Sequence, residues 1–258
     1  MSKSQYVTGL RAVEQLLAAK DTEVRRIYAE YKTANPRVEA LIGEANSRGI
    51  EIQPANRARL AQISGESRHQ GIVAEVRRTT ALDEAGLRSM VETRLQAGDG
   101  RKLLLLLLDG VEDPHNLGAC MRTADAAGVD AIVVPRHGAA GLGSTVSKVA
   151  AGAAEVLPFA SVGNLARVLT WLKDYGVTVV GTSDKGSKSL YDTDLDKPLA
   201  LVMGREHTGL GKRLEGLCDE LVALPMQGAV SSLNVSVATG IFLYEINRQR
   251  LAPAVSVG

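Results

Sequence analysis

Polar and charged side chains that can bind or activate a ligand gather in three segments of the 258-residue chain: 109–128, 201–210 and 224–240. Each segment begins just beyond the carboxyl end of an apolar run, where open α/β sheets collect their ligands. Amides position polar groups, a guanidinium attracts a phosphate or a reacting hydroxyl, and a carboxylate between glycines lies where the backbone approaches a ligand closely. The segments contain Asn116 and Arg122, then Glu206, then Ser232 and Asn234.

Each segment also has a purely structural interpretation that spacing leaves open. Asn116 is predicted to be the N-cap of the first helix, and Arg122 lies about 140° from the apolar stripe that begins at Leu117. Arg122 is therefore either a ligand-directed cation or a solvated side chain paired with Asp125, three residues further on. The glycine-flanked glutamate is typical of many strand–turn–helix junctions. The third segment is either a ligand-binding helix start or a capped helix with small, closely packing residues.

Several familiar sites are missing from the sequence. No G-x-G-x-x-G loop follows the first apolar run, no G-x-S-x-G elbow occurs, and 181–188 has Gly-Ser-Lys where a phosphate loop needs Gly-Lys-Ser/Thr. The four histidines lack the spacing of a zinc helix. Cys120 and Cys218 are too few for a disulfide framework or a four-thiolate zinc site, which indicates a reducing compartment.

The elements that must position these segments are predicted from apolar periodicity. Five runs are apolar throughout, as in a parallel sheet covered on both faces, namely 103–108, 131–134, 177–180, 199–203 and 221–224. Helical spacing between and after them predicts helices over 117–127, 145–154, 164–175, 212–217 and 235–250. The predicted fold class is therefore α/β with a doubly covered parallel sheet.

The chain is predicted to contain two domains joined by a linker. Residues 1–77 alternate shorter helices and strands, 78–101 read as a connector with a short helix over 87–95, and 102–258 hold the parallel sheet. Residues 1–80 carry 13 Lys and Arg against 9 Asp and Glu, an excess that either faces an acidic partner such as RNA or is ordinary surface charge.

Composition and the chain start indicate a cytosolic protein. The 45% apolar and 23% charged content is that of a globular protein. No signal peptide is apparent in residues 1–10, and the leucine run 103–108 is too short to span a bilayer.

Together the three segments resemble the motifs of the SpoU family of RNA 2′-O-ribose methyltransferases, within the SPOUT class. The matching stretches, in the family's order, are Asp113-Pro-His-Asn-Leu-Gly118, Met203-Gly-x-Glu206 and Pro225-Met-x-Gly-x-Val-Ser-Ser-Leu-Asn-Val-Ser236. Residues 6–17 and 69–72 resemble the family's substrate-binding domain, so the resemblance covers essentially the whole chain. One departure is His207-Thr208, because the family usually carries glycine directly after the glutamate.

The resemblance implies an architecture and a reaction. Residues 1–77 would form an L30e-like RNA-binding domain, and 102–258 a SPOUT domain with a carboxyl-terminal trefoil knot. The enzyme would be a homodimer that uses S-adenosylmethionine and no metal to methylate a ribose 2′-hydroxyl, that of a guanosine in 23S ribosomal RNA. Alternatives are a transfer RNA or another ribosomal site as substrate, or a non-catalytic RNA-binding assembly factor on the same scaffold.

The resemblance also implies roles for individual residues. Arg122 would contact an RNA phosphate and stabilise the forming alkoxide, while Asn116, Glu206, Ser232 and Asn234 position the hydroxyl. The first motif of one protomer would meet the cofactor loops of its partner. The implied cofactor contacts are Gly181, Thr182, Gly204, Leu224, Met226 and Leu233.

Overall fold

The computed structural model describes residues 4–18, 24–30, 35–77, 81–205 and 208–251. Contacts divide the chain into two compact units, one of residues 1–80 with 151–156 and one of residues 81–150 with 157–258. Within the described ranges, no helix is long and apolar enough to cross a bilayer.

The first unit is a small α/β sheet domain. Asn35 caps the second helix, which has proline at its first position, and Asn56 caps the third. In its sheet, the described strands run in the order β1-β4-β2-β3, with only β2 and β3 parallel. The elements are β1 (Ser4–Thr8), α1 (Leu10–Ala18), β2 (Val24–Glu30), α2 (Pro36–Ser47), β3 (Glu51–Ala55), α3 (Arg57–Ser64) and β4 (Ile72–Arg77).

The second unit is built on a parallel sheet, which confirms the predicted α/β class. Its described strands run in the order β7-β6-β5-β10-β8-β11-β9. The elements from 81 onward are α4 (Glu84–Gln96), β5 (Leu104–Leu108), α5 (Pro114–Ala126), β6 (Ala131–Pro135), α6 (Ser144–Ala150), α7 (Ala153–Val156), β7 (Phe159–Val162), α8 (Leu165–Asp174), β8 (Thr178–Thr182), β9 (Lys188–Ser189), β10 (Leu199–Met203), α9 (Lys212–Glu215), β11 (Glu220–Ala223) and α10 (Val235–Leu251). Of these, α7 groups with the first unit.

Strand β5 lies inside this sheet, between β6 and β10, and is buried along its whole length. Leu105 and Leu107 join a core to which α4 contributes Leu87 and Val91. Successive side chains of a strand point to opposite faces, and the intervening leucines are also fully buried, so both faces of the sheet are covered. A strand that is buried on both faces has apolar residues at every position, which is why this run does not alternate.

The structure differs from the sequence-based expectation at two places in this unit. The helix expected over 145–154 is interrupted, because Ala151 (φ 53°) and Gly152 (φ 102°) adopt left-handed backbone conformations between α6 and α7. The helix predicted over 87–95 of the connector is present as α4, but its Leu87 and Val91 are completely buried in the second unit's core. Residues 81–101 are therefore part of that unit rather than a free linker, and 78–80 lie outside the described residues.

Candidate functional site

Four adjacent strands bring the predicted site segments to one edge of the parallel sheet. β5, β10, β8 and β11 are neighbours in that order, and parallel strands end at the same edge. The segment 109–116 leaves β5, Gly204 follows β10, Gly181 and Thr182 end β8, and 224–234 leaves β11. The three sequence motifs therefore begin at one edge although the first (113–118) lies far along the chain from the second (203–206) and the third (225–236).

The first motif forms the start of α5, but its cap is not the expected residue. Asp113, not Asn116, is the N-cap, because its side chain accepts a hydrogen bond from the backbone N–H of His115. Pro114 occupies the first helical position, which it favours because its missing N–H would be unpaired there. Asn116 is thereby released from capping, and its half-buried side chain is available for a contact with another element.

That contact joins the first and third motifs. The Nδ2 of Asn234 donates to the Oδ1 of Asn116 at 2.9 Å. Asn234 directly precedes α10, and its Oδ1 accepts from the backbone N–H of Ser236 at 2.9 Å and from its hydroxyl at 2.6 Å. Asn234 thus acts as the cap of α10 and as a link to α5 at the same time.

The two helices carrying these asparagines also pack through their sides. Cys120 and Thr239 are buried where α5 meets α10, with Sγ and Oγ1 3.6 Å apart. A Cβ on Gly240 would lie 3.6 Å from Thr123, so this glycine is in ordinary packing distance of α5. Burial raises the pKa of the Cys120 thiol to about 11, which keeps it protonated and excludes it as a nucleophile at neutral pH.

Arg122 stands apart from this contact. It is exposed, and six residues of α-helix place it roughly 120° around α5 and about 9 Å along it from Asn116. The alternative interpretation, a salt bridge to Asp125, is wrong: no ion pair joins these two residues, both of which the structure describes. Burial alone raises the pKa of Asp125. Arg122 therefore presents a surface cation that no described residue pairs with.

The second motif is a tight loop after β10. The backbone of Arg205 exchanges two hydrogen bonds with that of Gly209, at 3.1 and 2.9 Å. Gly204 is buried, and a Cβ on it would overlap the backbone atoms of Gly209 and Leu210. The loop's own return therefore requires glycine at 204. Glu206 and His207 lie outside the described residues.

Two residues that the motifs did not single out, Asp109 and Arg205, lie beside this loop. Arg205 lies over Gly110, which has a φ of 76° and no side chain to block the approach. Burial raises the pKa of the neighbouring Asp109, against the opposing effects of the Arg205 charge and a hydrogen bond from the Gly211 N–H. The signal in the sequence was Asp-Gly directly after an apolar strand, but its partner in β10's loop depends on strand order.

The residues proposed for the cofactor fall into two groups. Gly181 is a packing position, since a Cβ there would lie 2.6 Å from the Sγ of Cys218, and Thr182 donates its hydroxyl to the Val202 carbonyl at 3.2 Å. Segment 224–234 instead forms neither helix nor strand. In it Ser232 is exposed, while the apolar Leu224, Met226 and Leu233 are half-buried.

Metal-binding geometry is not found at this edge or elsewhere in the part of the chain that the structure describes. No group of three or more His, Cys, Asp or Glu side chains lies close enough together to hold a metal ion. The chemical resources of the described site are therefore amides, a hydroxyl, a guanidinium and half-buried apolar surface beside irregular backbone.

Comparison with protein families decides the identity of this arrangement. A model of the SpoU rRNA methylase family matches residues 103–244, which include the three motifs and the sheet edge. The chain belongs to the SpoU family. A second model, of the RNA 2′-O ribose methyltransferase substrate-binding domain, matches residues 6–81. The resemblance read from the motifs is thereby confirmed.

Individual SpoU-family proteins match the chain over nearly its full length. The 23S rRNA (guanosine-2′-O-)-methyltransferase RlmB of Pseudomonas aeruginosa is 47% identical over 97% of this chain and 98% of its own. The SpoU methyltransferase AviRb of Streptomyces viridochromogenes, solved in complex with AdoMet, superposes with a TM-score of 0.76 at 25% identity, covering 97% and 92% of the two chains. An AdoMet-bound rRNA methyltransferase from Sinorhizobium meliloti gives 0.73 at 27% identity, covering 96% and 88%.

Proposed function

We propose that this chain transfers a methyl group from S-adenosylmethionine to the 2′-hydroxyl of a guanosine in 23S ribosomal RNA. The observation that carries the proposal is the Asn116–Asn234 hydrogen bond, which joins the first and third SpoU motifs at the sheet edge. The activity follows the name of the RlmB relative, which is 47% identical over nearly the whole chain.

The described residues fit S-adenosylmethionine, which supplies an electrophilic methyl group on a positively charged sulfur. Leu224, Met226 and Leu233 offer half-buried apolar surface of the kind that packs on an adenine ring. No backbone hydrogen bond joins residues 224–233 to other described residues, so their N–H and C=O groups are free to bind the base's polar edge. Gly181, Thr182 and Gly204 complete the proposed contacts from the neighbouring strands.

Arg122 is proposed to stabilise the alkoxide that develops on the ribose oxygen. A guanidinium stays protonated in proteins, so Arg122 supplies positive charge and does not remove the hydroxyl proton, which would pass to solvent water as the O–CH3 bond forms and the methyl–sulfur bond of the cofactor breaks. No described residue forms an ion pair with it, so among those residues its charge stays available to a phosphate or an alkoxide. Asn116 and Asn234, held by each other, position the hydroxyl, and Ser232 and Glu206 are proposed to assist them.

We further propose a homodimer in which each active site uses both chains. Arg122 faces roughly 120° away from Asn116, which fits a role in a neighbouring protomer's site better than in its own. Val237, Tyr244 and Leu251 recur every seven residues along α10, and each is more than half exposed. Such a stripe on one helix face suits a protein–protein contact.

A trefoil knot and a division of labour between domains complete the proposal. β11 lies beyond β8 in the sheet, yet the helix that follows it returns to pack on α5, next to β5, as a threaded carboxyl terminus would.

Residues 1–77 are proposed to bind the RNA and 102–258 to transfer the methyl group, in keeping with the two family matches. Because Cys120 and Cys218 are free thiols and do not form a disulfide, the enzyme is proposed to act in the cytoplasm.

Two measurements test this function and its alternatives. Mapping 2′-O-methyl groups in RNA from cells with and without the gene should show the loss of one modified guanosine in 23S ribosomal RNA. Loss at a transfer RNA or at another ribosomal site would replace the substrate. Titration calorimetry with S-adenosylmethionine should show binding, and its absence together with unchanged methylation would favour a non-catalytic RNA-binding factor.

A further inference from the structure

The first unit contains a cleft that the methyl-transfer proposal leaves unused. Its volume is about 1280 Å³, above the roughly 300–1000 Å³ of small-molecule pockets, so it has room for a segment of polymer. Its lining includes apolar surface from Leu10, Ala58 and Ala61, the basic side chains of Arg57, Arg68 and His69, and the carboxylate of Glu30. All of them belong to the same compact unit.

His69 presents a hydrogen-bond donor to this cleft. The side chain is only 5% exposed, and its Nδ1 accepts from the backbone N–H of Gly71 at 3.2 Å. A neutral imidazole that accepts at Nδ1 carries its proton on Nε2. Nε2 has no partner among the described residues, so the buried ring offers one fixed N–H donor to a ligand.

The loop that carries His69 is held rigidly. Gln70 has a left-handed backbone (φ 52°), and its Oε1 accepts from the N–H of Leu10 at the start of α1, at 3.0 Å. The Gly71 carbonyl accepts from the N–H of Glu30 at 2.8 Å. A non-glycine residue in this conformation is strained and persists where its surroundings impose it, often at ligand sites. The donor is thus preorganised.

The charges at the cleft differ in their availability. Arg57 is paired with Glu30 at 2.9 Å. Arg68 is exposed and has no hydrogen-bond or ion-pair partner in the described parts of the chain. One arginine therefore remains free for an anion beside the histidine donor.

We propose that this cleft binds an unstacked nucleobase of the RNA substrate, with His69 Nε2–H donating to a carbonyl oxygen of uracil or guanine. Arg68 contacts the adjoining phosphate, and the apolar side chains pack on the base. Proteins read RNA sequence at unstacked bases, and a donor placed for uracil O4 or guanine O6 meets the N4 amino group of cytosine or the N6 amino group of adenine at the same position, which cannot accept it. The inference rests on the proposed function, because it takes RNA as the substrate.

The test uses the full-length protein and two variants that remove different contacts. In His69→Asn, the amide oxygen still accepts from Gly71 while the Nε2–H donor is lost. We expect wild type to prefer oligo(U) over oligo(C), and His69→Asn to lose that preference and about 5- to 10-fold in affinity for a 23S rRNA transcript, with an unchanged salt slope. Arg68→Ala should lower the salt slope by about one. Arg25→Ala, exposed outside the cleft, should keep the base preference.

The results separate this proposal from the function on which it rests. Wild-type base preference retained in a folded His69→Asn protein overturns the base contact; if that variant fails to fold, an unchanged affinity and salt slope in Arg68→Ala overturn the site. Methylation should show a raised KM with an unchanged kcat in both variants. Absence of methylation by wild type, with the oligo(U) preference intact, would overturn the proposed function and support the cleft.

Discussion

Asn234 has two hydrogen-bonding roles that substitution can separate. Its Oδ1 caps α10 through the Ser236 N–H, and its Nδ2 donates to Asn116. Serine is also a good N-cap but is too short to keep the second contact, whereas alanine loses both. We expect Asn234→Ser and Asn234→Ala to slow single-turnover methyl transfer alike, roughly 100-fold, through misplacement of the hydroxyl. In urea unfolding, only Asn234→Ala should lose about 1 kcal/mol. Full activity in Asn234→Ser would show that the Asn116 contact is dispensable.

Arg122 differs from Asn234 because nothing in the described structure depends on it. The side chain is exposed and lies off the buried stripe of α5. Arg122→Ala is therefore expected to keep the melting temperature and the calorimetric affinity for S-adenosylmethionine while methyl transfer falls about 100- to 1000-fold. Arg213→Ala, another exposed arginine of the same unit, serves as the control. Activity within a few-fold of wild type, or unfolding of the variant, would remove Arg122 from the chemistry.

At the scale of elements, the loop after β10 makes its glycine structural. A Cβ at Gly204 would meet the backbone of Gly209 and Leu210, which cannot give way as a flexible side chain does. Gly204→Ala should therefore lower the melting temperature by several degrees and reduce cofactor affinity together. Gly163→Ala is the matched control, because this glycine of the same unit lies outside the three motifs and has open space around it. A Gly204→Ala protein of normal stability that binds no cofactor would assign the glycine to ligand contact alone.

Features that depend on local sequence could be predicted, whereas contacts that depend on strand order could not. The buried strands were predicted because their apolar runs do not alternate, but β7 was missed, being only four residues with Ser161 inside it. The common origin of the three motifs at one sheet edge followed from parallel strands. The Asn116–Asn234 bond and the Arg205–Gly110 contact did not, because they depend on strand order, which no local pattern encodes.

At the scale of the whole molecule, the proposed shared active site makes a complementation experiment possible. Mixing Arg122→Ala with Asn234→Ala protein should restore activity to up to about a quarter of the wild-type level at equal mixing, since half the dimers are mixed and each has one intact site. Co-purification through two tags must show that subunits exchange. Exchange without recovered activity would mean that each chain builds its own site.

The pairing of β5 with β10 also has a consequence for how the protein is made. Leu104 lies beside Leu199, so this edge of the five-leucine strand stays unpaired until about 95 further residues have been synthesised. At a synthesis rate of 5–20 residues per second, that strand edge stays open for roughly 5–20 s. Such an interval invites pairing between molecules. We expect the yield of refolding from denaturant to fall as protein concentration rises, as measured by light scattering; a concentration-independent yield would show that the leucines are shielded early.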